Sequence, residues 1–320
     1  FEVRIETDLS LQEVQLGGVR AIRLAPDGAD AWTFEVQGAP DEGPADLVLV
    51  TSDETLTFEE AFTYDAPLVP GFERFVAMGA SLTQGVQGGV PTPHGQRHAP
   101  SRQIAEALGA YHPYPLMSSE LFEPIGVEHI GPAPECRVPD VPAHLASRAI
   151  SVLGALQNPE SGEVDFALGL YDAELPPMNL GVGNSNAGNL LHGPGSEDFA
   201  QQFLAHLVYD PHSGILDNVT TSQIEEVEAR DPTVIVCFDT YGNDLIGSIV
   251  GEPDLDINRV TDPEELEITL TGLLERLAAT DAEVFLANIP RPTLLPVTKA
   301  RERDLLEDGV DPLEVQARIE

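Results

Sequence analysis

The spacing of hydrophobic positions changes rhythm once along this chain. Up to about residue 67, apolar and polar residues alternate, as in Thr55-Leu56-Thr57-Phe58, and turn signals interrupt at Gly17-Gly18, Pro26-Asp27-Gly28 and Asp41-Glu42-Gly43-Pro44. A period of two punctuated by Gly, Pro and Asp predicts half-buried strands, hence a small all-β sandwich over residues 1–67. Pro67-Leu68-Val69-Pro70-Gly71 reads as the linker, at 68–71. From residue 72 onward, short continuous apolar runs at Phe75, Leu180, Val234 and Phe285 alternate with helical patterns. Continuous runs mark strands buried on both faces, so this alternation predicts a doubly wound α/β unit around a parallel sheet.

Capping signals place several of its helices. Pro100 at a first helical position with Gly109 closing predicts a helix between them. Ser222-Gln223-Ile224-Glu225 has capping-box spacing and opens a helix that ends near Arg230. Asp262, Pro263 and Glu265 start another before Leu266 to Leu277. The same acidic residues, with Asp254, Asp256 and Asn258, partly match a calcium loop, but Arg259 stands where the sharp turn needs glycine, so the helix start is the preferred reading.

The chemistry is carried by residues 75–85. The apolar run Phe75-Val76-Ala77-Met78 breaks into Gly79-Ala80-Ser81-Leu82-Thr83-Gln84-Gly85, which puts the Ser81 hydroxyl just past the carboxyl end of a strand, where open α/β sheets bind ligands. Two further strand ends deliver polar donors: Leu180-Gly181-Val182-Gly183-Asn184 and Phe238-Asp239-Thr240-Tyr241-Gly242-Asn243-Asp244. Three parallel strands would gather Ser81, the Gly183 N–H and the Asn243 amide at one rim, as acyl transfer requires.

In the order and spacing of these three segments the chain resembles the SGNH, or GDSL-type, serine hydrolases over roughly residues 72–320. That resemblance implies a three-layer α/β/α, flavodoxin-like fold with a central parallel sheet. It also implies Ser81 as nucleophile and an oxyanion hole from the Ser81 and Gly183 N–H groups with the Asn243 side chain, Gly242 and Asn184 lining the substrate. No cofactor and no metal are implied. The sequence departs from the family pattern at Ala80, where the family has Asp, and in having no histidine after His212, where an Asp-x-x-His would supply the base. The expectation is that the base and its Asp lie beyond Glu320, since residues 312–319 carry helical spacing without a cap. His192 is the internal alternative. Val14-Gln15-Leu16-Gly17-Gly18-Val19-Arg20-Ala21, followed by Asp46-Leu47-Val48-Leu49-Val50-Thr51 and closing on Ala61-Phe62-Thr63-Tyr64, resembles an IPT/TIG immunoglobulin-like domain over most of residues 1–67, lacking its first strand, which implies a spacer or binding role and no catalytic residue.

Composition narrows the partners. The 320 residues include 54 acidic and 16 basic side chains, one of them the single lysine Lys299, for a formal charge of −38. Nucleic acid is therefore not an expected partner. Adaptation to salt and an acid-biased secreted protein both explain the charge. No apolar run approaches the roughly 20 residues of a membrane span. A Pro-rich segment over about 111–177 is long for an α/β connection and reads as a cap over the site. His94 and His98 fall between prolines, so a loop is expected there rather than a metal-binding helix. Of the two cysteines, Cys237 is expected in a buried strand and Cys136 in a loop, unbridged. Arg291, after the Phe285 strand, is either a contact for an anionic substrate or a surface residue. Taken together, the expected activity is hydrolysis of a carboxylic ester, an acylated carbohydrate or a lipid, by a protein at the cell surface or outside it. The alternative is a non-catalytic binding protein that keeps the hydrolase fold.

Overall fold

The computed structural model describes residues 2–36, 42–87, 90–115, 128–130, 135–137, 176–195, 199–209, 221–245 and 260–288. It is broadly α/β, with antiparallel sheets first in the chain and a parallel sheet after them. The amino-terminal strands are β1 (Glu2–Glu6), β2 (Leu11–Leu16), β3 (Val19–Arg20), β4 (Ile22–Pro26), β5 (Ala31–Glu35), β6 (Gly43–Thr51) and β7 (Thr55–Tyr64). They pair antiparallel into two sheets, β1-β5-β4 and β3-β2-β6-β7. Residues from both sheets, among them Leu11, Val14, Phe34, Val36, Leu49 and Tyr64, meet in one apolar core. The alternation seen in the sequence has this cause: one face of each strand turns inward and the other outward.

The second unit opens with β8 (Phe75–Met78), α1 (Ser81–Gln84), the hairpin β9 (Val86–Gln87) and β10 (Val90–Pro91), α2 (Pro93–Arg97) and α3 (Pro100–Leu108). A second hairpin follows, β11 (Glu128–Ile130) with β12 (Glu135–Arg137), then α4 (Ala187–His192), α5 (Phe199–Tyr209), α6 (Gln223–Ala229), β13 (Val234–Cys237), α7 (Pro263–Ala279) and β14 (Glu283–Leu286). The parallel sheet has the order β14-β13-β8. On the free edge of β8 the stretch 178–180 runs parallel to it through a single bridge, Ala77 to Asn179, with Ala77 N–H donating to Met178 O (2.9 Å) and Leu180 N–H to Ala77 O (2.8 Å). The strand expected around Leu180 is thus present only as this bridge.

All four β8 side chains are fully buried. Phe75, Val234 and Val236 pack with Ala105 of α3 on one face. Val76, Met78, Ile235 and Cys237 pack with Leu190 of α4, Ile224 and Val227 of α6, and Leu273 and Leu277 of α7 on the other. Helices on both faces explain why these strands read as unbroken apolar runs.

The predicted caps hold. Pro100 is the first residue of α3 and Gly109 its left-handed cap. Ser222 and Glu225 form a reciprocal capping box on α6, and the Asp262 carboxylate accepts from the N–H groups of Glu264 and Glu265 at the start of α7. Two expectations are corrected. Residues 93–97 form a helix rather than loop, because Pro93 sits at the first helical position, where it loses no hydrogen bond, and Thr92 caps Gly95 N–H. Cys136 lies in β12 rather than a loop, paired with His129. The Asp254 to Arg259 part of the calcium template and Arg291 lie outside the described residues, as does most of the 111–177 segment.

Candidate functional site

Strand β8 ends at Met78, and through Gly79 and Ala80 the chain turns at once into α1 with Ser81 as its first residue. The turn is held from several distant points. The Asp239 carboxylate, two residues past β13, accepts from Ala80 N–H (2.8 Å) and from the Thr83 hydroxyl (2.6 Å) through one oxygen, and from Leu82 N–H (2.7 Å) through the other. The Gln223 amide, first in α6, brackets Gly79, accepting from its N–H (3.0 Å) and donating to its carbonyl (2.8 Å). Asn179, buried beside β8, donates to Thr83 O (2.8 Å). Gly79 is required here: its φ is +148°, and a Cβ would lie 2.4 Å from Asp239 Oδ1 and 2.3 Å from Thr83 Oγ1.

None of these bonds uses the Ser81 side chain. The Ala80 and Leu82 N–H groups are taken, whereas Ser81 N–H, at a helix start, has no carbonyl within its own helix to bond. Its hydroxyl faces the 181–185 segment, which Val182 N–H ties to Gly79 O (3.2 Å). Here the structure differs in detail from expectation. The Gly183 N–H donates to the buried Gln84 side-chain oxygen (2.8 Å), and it is Asn184 N–H that approaches Ser81 Oγ (3.4 Å), Asn184 holding a left-handed φ of 65°. Asn243 reaches the same segment, its amide donating to Ser185 O (2.7 Å), and Gly242 precedes it in a helical turn over 242–245. Next to it Asp244 accepts from Ala187 N–H (2.8 Å) and the Thr261 hydroxyl (2.7 Å), fixing the head of α4. Ser81, Gly183, Asn184 and Asn243 are thus brought to one rim of the sheet.

No histidine hydrogen-bonds Ser81 among the described residues. His192 is exposed at the far end of α4, about 8 Å of helix beyond Ala187. His94 and His98 stack on one another with ring centroids 4.3 Å apart, and His98 Nδ1 bonds the His94 carbonyl (2.8 Å). His112 lies at the opposite end of β8, fully buried, its Nδ1 on Phe75 O (2.9 Å). Burial drives its pKa down to about 3, with the Arg102 charge adding and the Phe75 carbonyl opposing. It is a neutral structural side chain. Burial likewise pushes the Cys237 thiol up to about 12, so it offers no competing thiolate. Among the described residues no three His, Cys, Asp or Glu side chains are grouped as a metal site.

Asp239, Gln223, Asn179 and Gln84 were not singled out by the sequence. Asp239 had the best signal, an acidic residue directly after an apolar run and four residues before Asn243. Nothing distinguishes Gln223 from any polar residue at a helix start. Comparisons with family models, with curated proteins and with solved structures returned no match to this chain.

Proposed function

We propose that this protein is a serine esterase of the SGNH type, cleaving a carboxylic ester, an acylated carbohydrate or a lipid, through an acyl-enzyme on Ser81. One observation carries the reading: Ser81 heads a helix at the carboxyl end of a fully buried parallel strand, on a turn braced by Asp239, with Asn184 N–H against its hydroxyl. Attack of Oγ on the ester carbonyl forms a tetrahedral oxyanion; collapse expels the alcohol, and water then releases the acid. In this reading Ser81 N–H, the 183–184 backbone and the Asn243 amide supply the donors for that oxyanion. The Gly183 N–H serves only after leaving Gln84. Asp239 takes over, from a different strand, the support that the family's Asp gives from the position of Ala80. Ser81 needs a base to accept its proton, and in this reading a histidine outside the described residues supplies it.

The finer fold belongs to the same proposal: an SGNH-type α/β/α, flavodoxin-like domain preceded by an IPT/TIG-like sandwich, in a protein acting at or beyond the cell surface. Among the described residues no helix is long and apolar enough to cross a membrane. The second reading, a binding protein on a hydrolase scaffold, is favoured by the absence of a histidine on Ser81 among the described residues. A fluorophosphonate probe separates the two. Labelling that vanishes in Ser81→Ala supports the esterase, and an intact chain that stays unlabelled supports the binding protein.

A further inference from the structure

Glu35 is out of place for a spacer module. Its neighbours Phe34 and Val36 point into the sandwich core, so by the alternation of a strand Glu35 points outward, yet it is only 8% exposed. What covers it is the α/β unit. Tyr114 hydroxyl donates to one carboxylate oxygen (2.8 Å) and Arg97 Nε to the other (3.1 Å), while the Arg102 guanidinium stands 5.1 Å over the Tyr114 ring. Tyr114 and Arg102 are themselves buried. Burial raises the pKa of Glu35, but the Tyr114 hydrogen bond and the Arg97 and Arg102 charges overcome it and hold the carboxyl below its ordinary value. A charge buried between two units is tolerated only where its partners are fixed in place.

Arg97 leads onward to Ser81. It is the last residue of α2, and the α2 backbone lies directly on Gly85: a Cβ there would be 2.5 Å from Gly95 O and 2.6 Å from Gln96 N. Gly85, with a left-handed φ of 84°, is the cap of α1, and its N–H donates to Ser81 O (3.1 Å). Three contacts therefore join the sandwich to the head of α1, Glu35 to Arg97, α2 to Gly85 and Gly85 to Ser81, while Tyr114 holds Glu35 from the other side.

We propose that Glu35 is a positioning residue for Ser81, and that the amino-terminal β unit is a docked support of the nucleophile turn rather than a free spacer. The positioning half rests on reading Ser81 as the nucleophile. The docking half does not.

The test uses the full 320-residue chain and two variants, Glu35→Gln, which keeps shape and loses charge, and Arg97→Met, which keeps bulk. Amide exchange is followed at Gly85 and across α2, with β13 as internal reference. Docking predicts at least tenfold faster exchange at Gly85 and α2 in both variants, with β13 unchanged; unchanged exchange at Gly85 in both overturns it. Fluorophosphonate labelling is then measured against probe concentration. Positioning predicts a maximal rate at least fivefold lower in Glu35→Gln, with the half-saturating concentration unchanged; equal maximal rates overturn it. If the parent chain takes no label while Gly85 exchange still responds, the esterase reading and the positioning role fail together, and docking stands.

Discussion

Asp239 shows how much of this site depends on one side chain. Its carboxylate accepts from two backbone N–H groups and a hydroxyl beside Ser81. Asp239→Ala is expected to destabilise the protein by about 2–4 kcal/mol and to slow serine labelling at least tenfold, read by urea melts and probe kinetics. Gly79→Ala should do worse, since its Cβ has no room and its φ is unfavourable to any other residue; loss of labelling together with a lowered melting temperature is the expected result. His112 makes a pH prediction. Folded, it stays neutral down to about 3, while the unfolded imidazole takes a proton near 6.5, so the unfolded state binds the extra proton between these values. Stability should fall as pH drops through that window, by up to about 1.4 kcal/mol per unit from this residue, and the slope should flatten in His112→Phe. Ser81 and Asn243 were legible in the sequence because a strand-ending turn and its polar donor are local patterns. Asp239 was not, because it meets Leu82 across 157 residues and only the paired strands reveal that contact.

Among the elements, those whose ends are written in capping residues were read correctly. The Asp262 cap on α7 is the cleanest case, and Asp262→Ala is expected to cost about 1 kcal/mol in a denaturant melt, leaving serine labelling intact. The buried strands were equally legible, since both faces of β8 and β13 are covered and demand apolar residues throughout. Residues 93–97 misled because prolines were taken as helix breakers, whereas Pro93 begins α2 at the position that tolerates it. The stretch 178–180 was over-read as a strand: it has the composition of one but makes only a single bridge to β8.

For the whole molecule, charge is the dominant physical fact. A net −38 on 320 residues spreads repulsion over every surface, and the ion pairs described, such as Arg230 with Glu226 and Arg276 with Glu228, relieve only a small part of it. Potassium chloride shortens the screening length from about 10 Å at 0.1 M to about 3 Å at 1 M. The melting temperature is expected to rise by at least about 5 °C over that range, a gain of one to two kcal/mol for a chain of this size. A flat or falling series would reject salt adaptation. Composition made this charge plain from the start. The seating of Glu35 against Arg97 and Tyr114 was hidden, because an isolated glutamate in a strand reads as a solvated one until its covering partners are seen.

The brace on Ser81 also bears on synthesis. Asp239 leaves the ribosome 157 residues after Leu82, which at ordinary rates is roughly 8–30 s later. Throughout that interval the nascent chain lacks the carboxylate that braces the Ser81 turn. The Ser81 turn can take its final form only when translation has delivered Asp239.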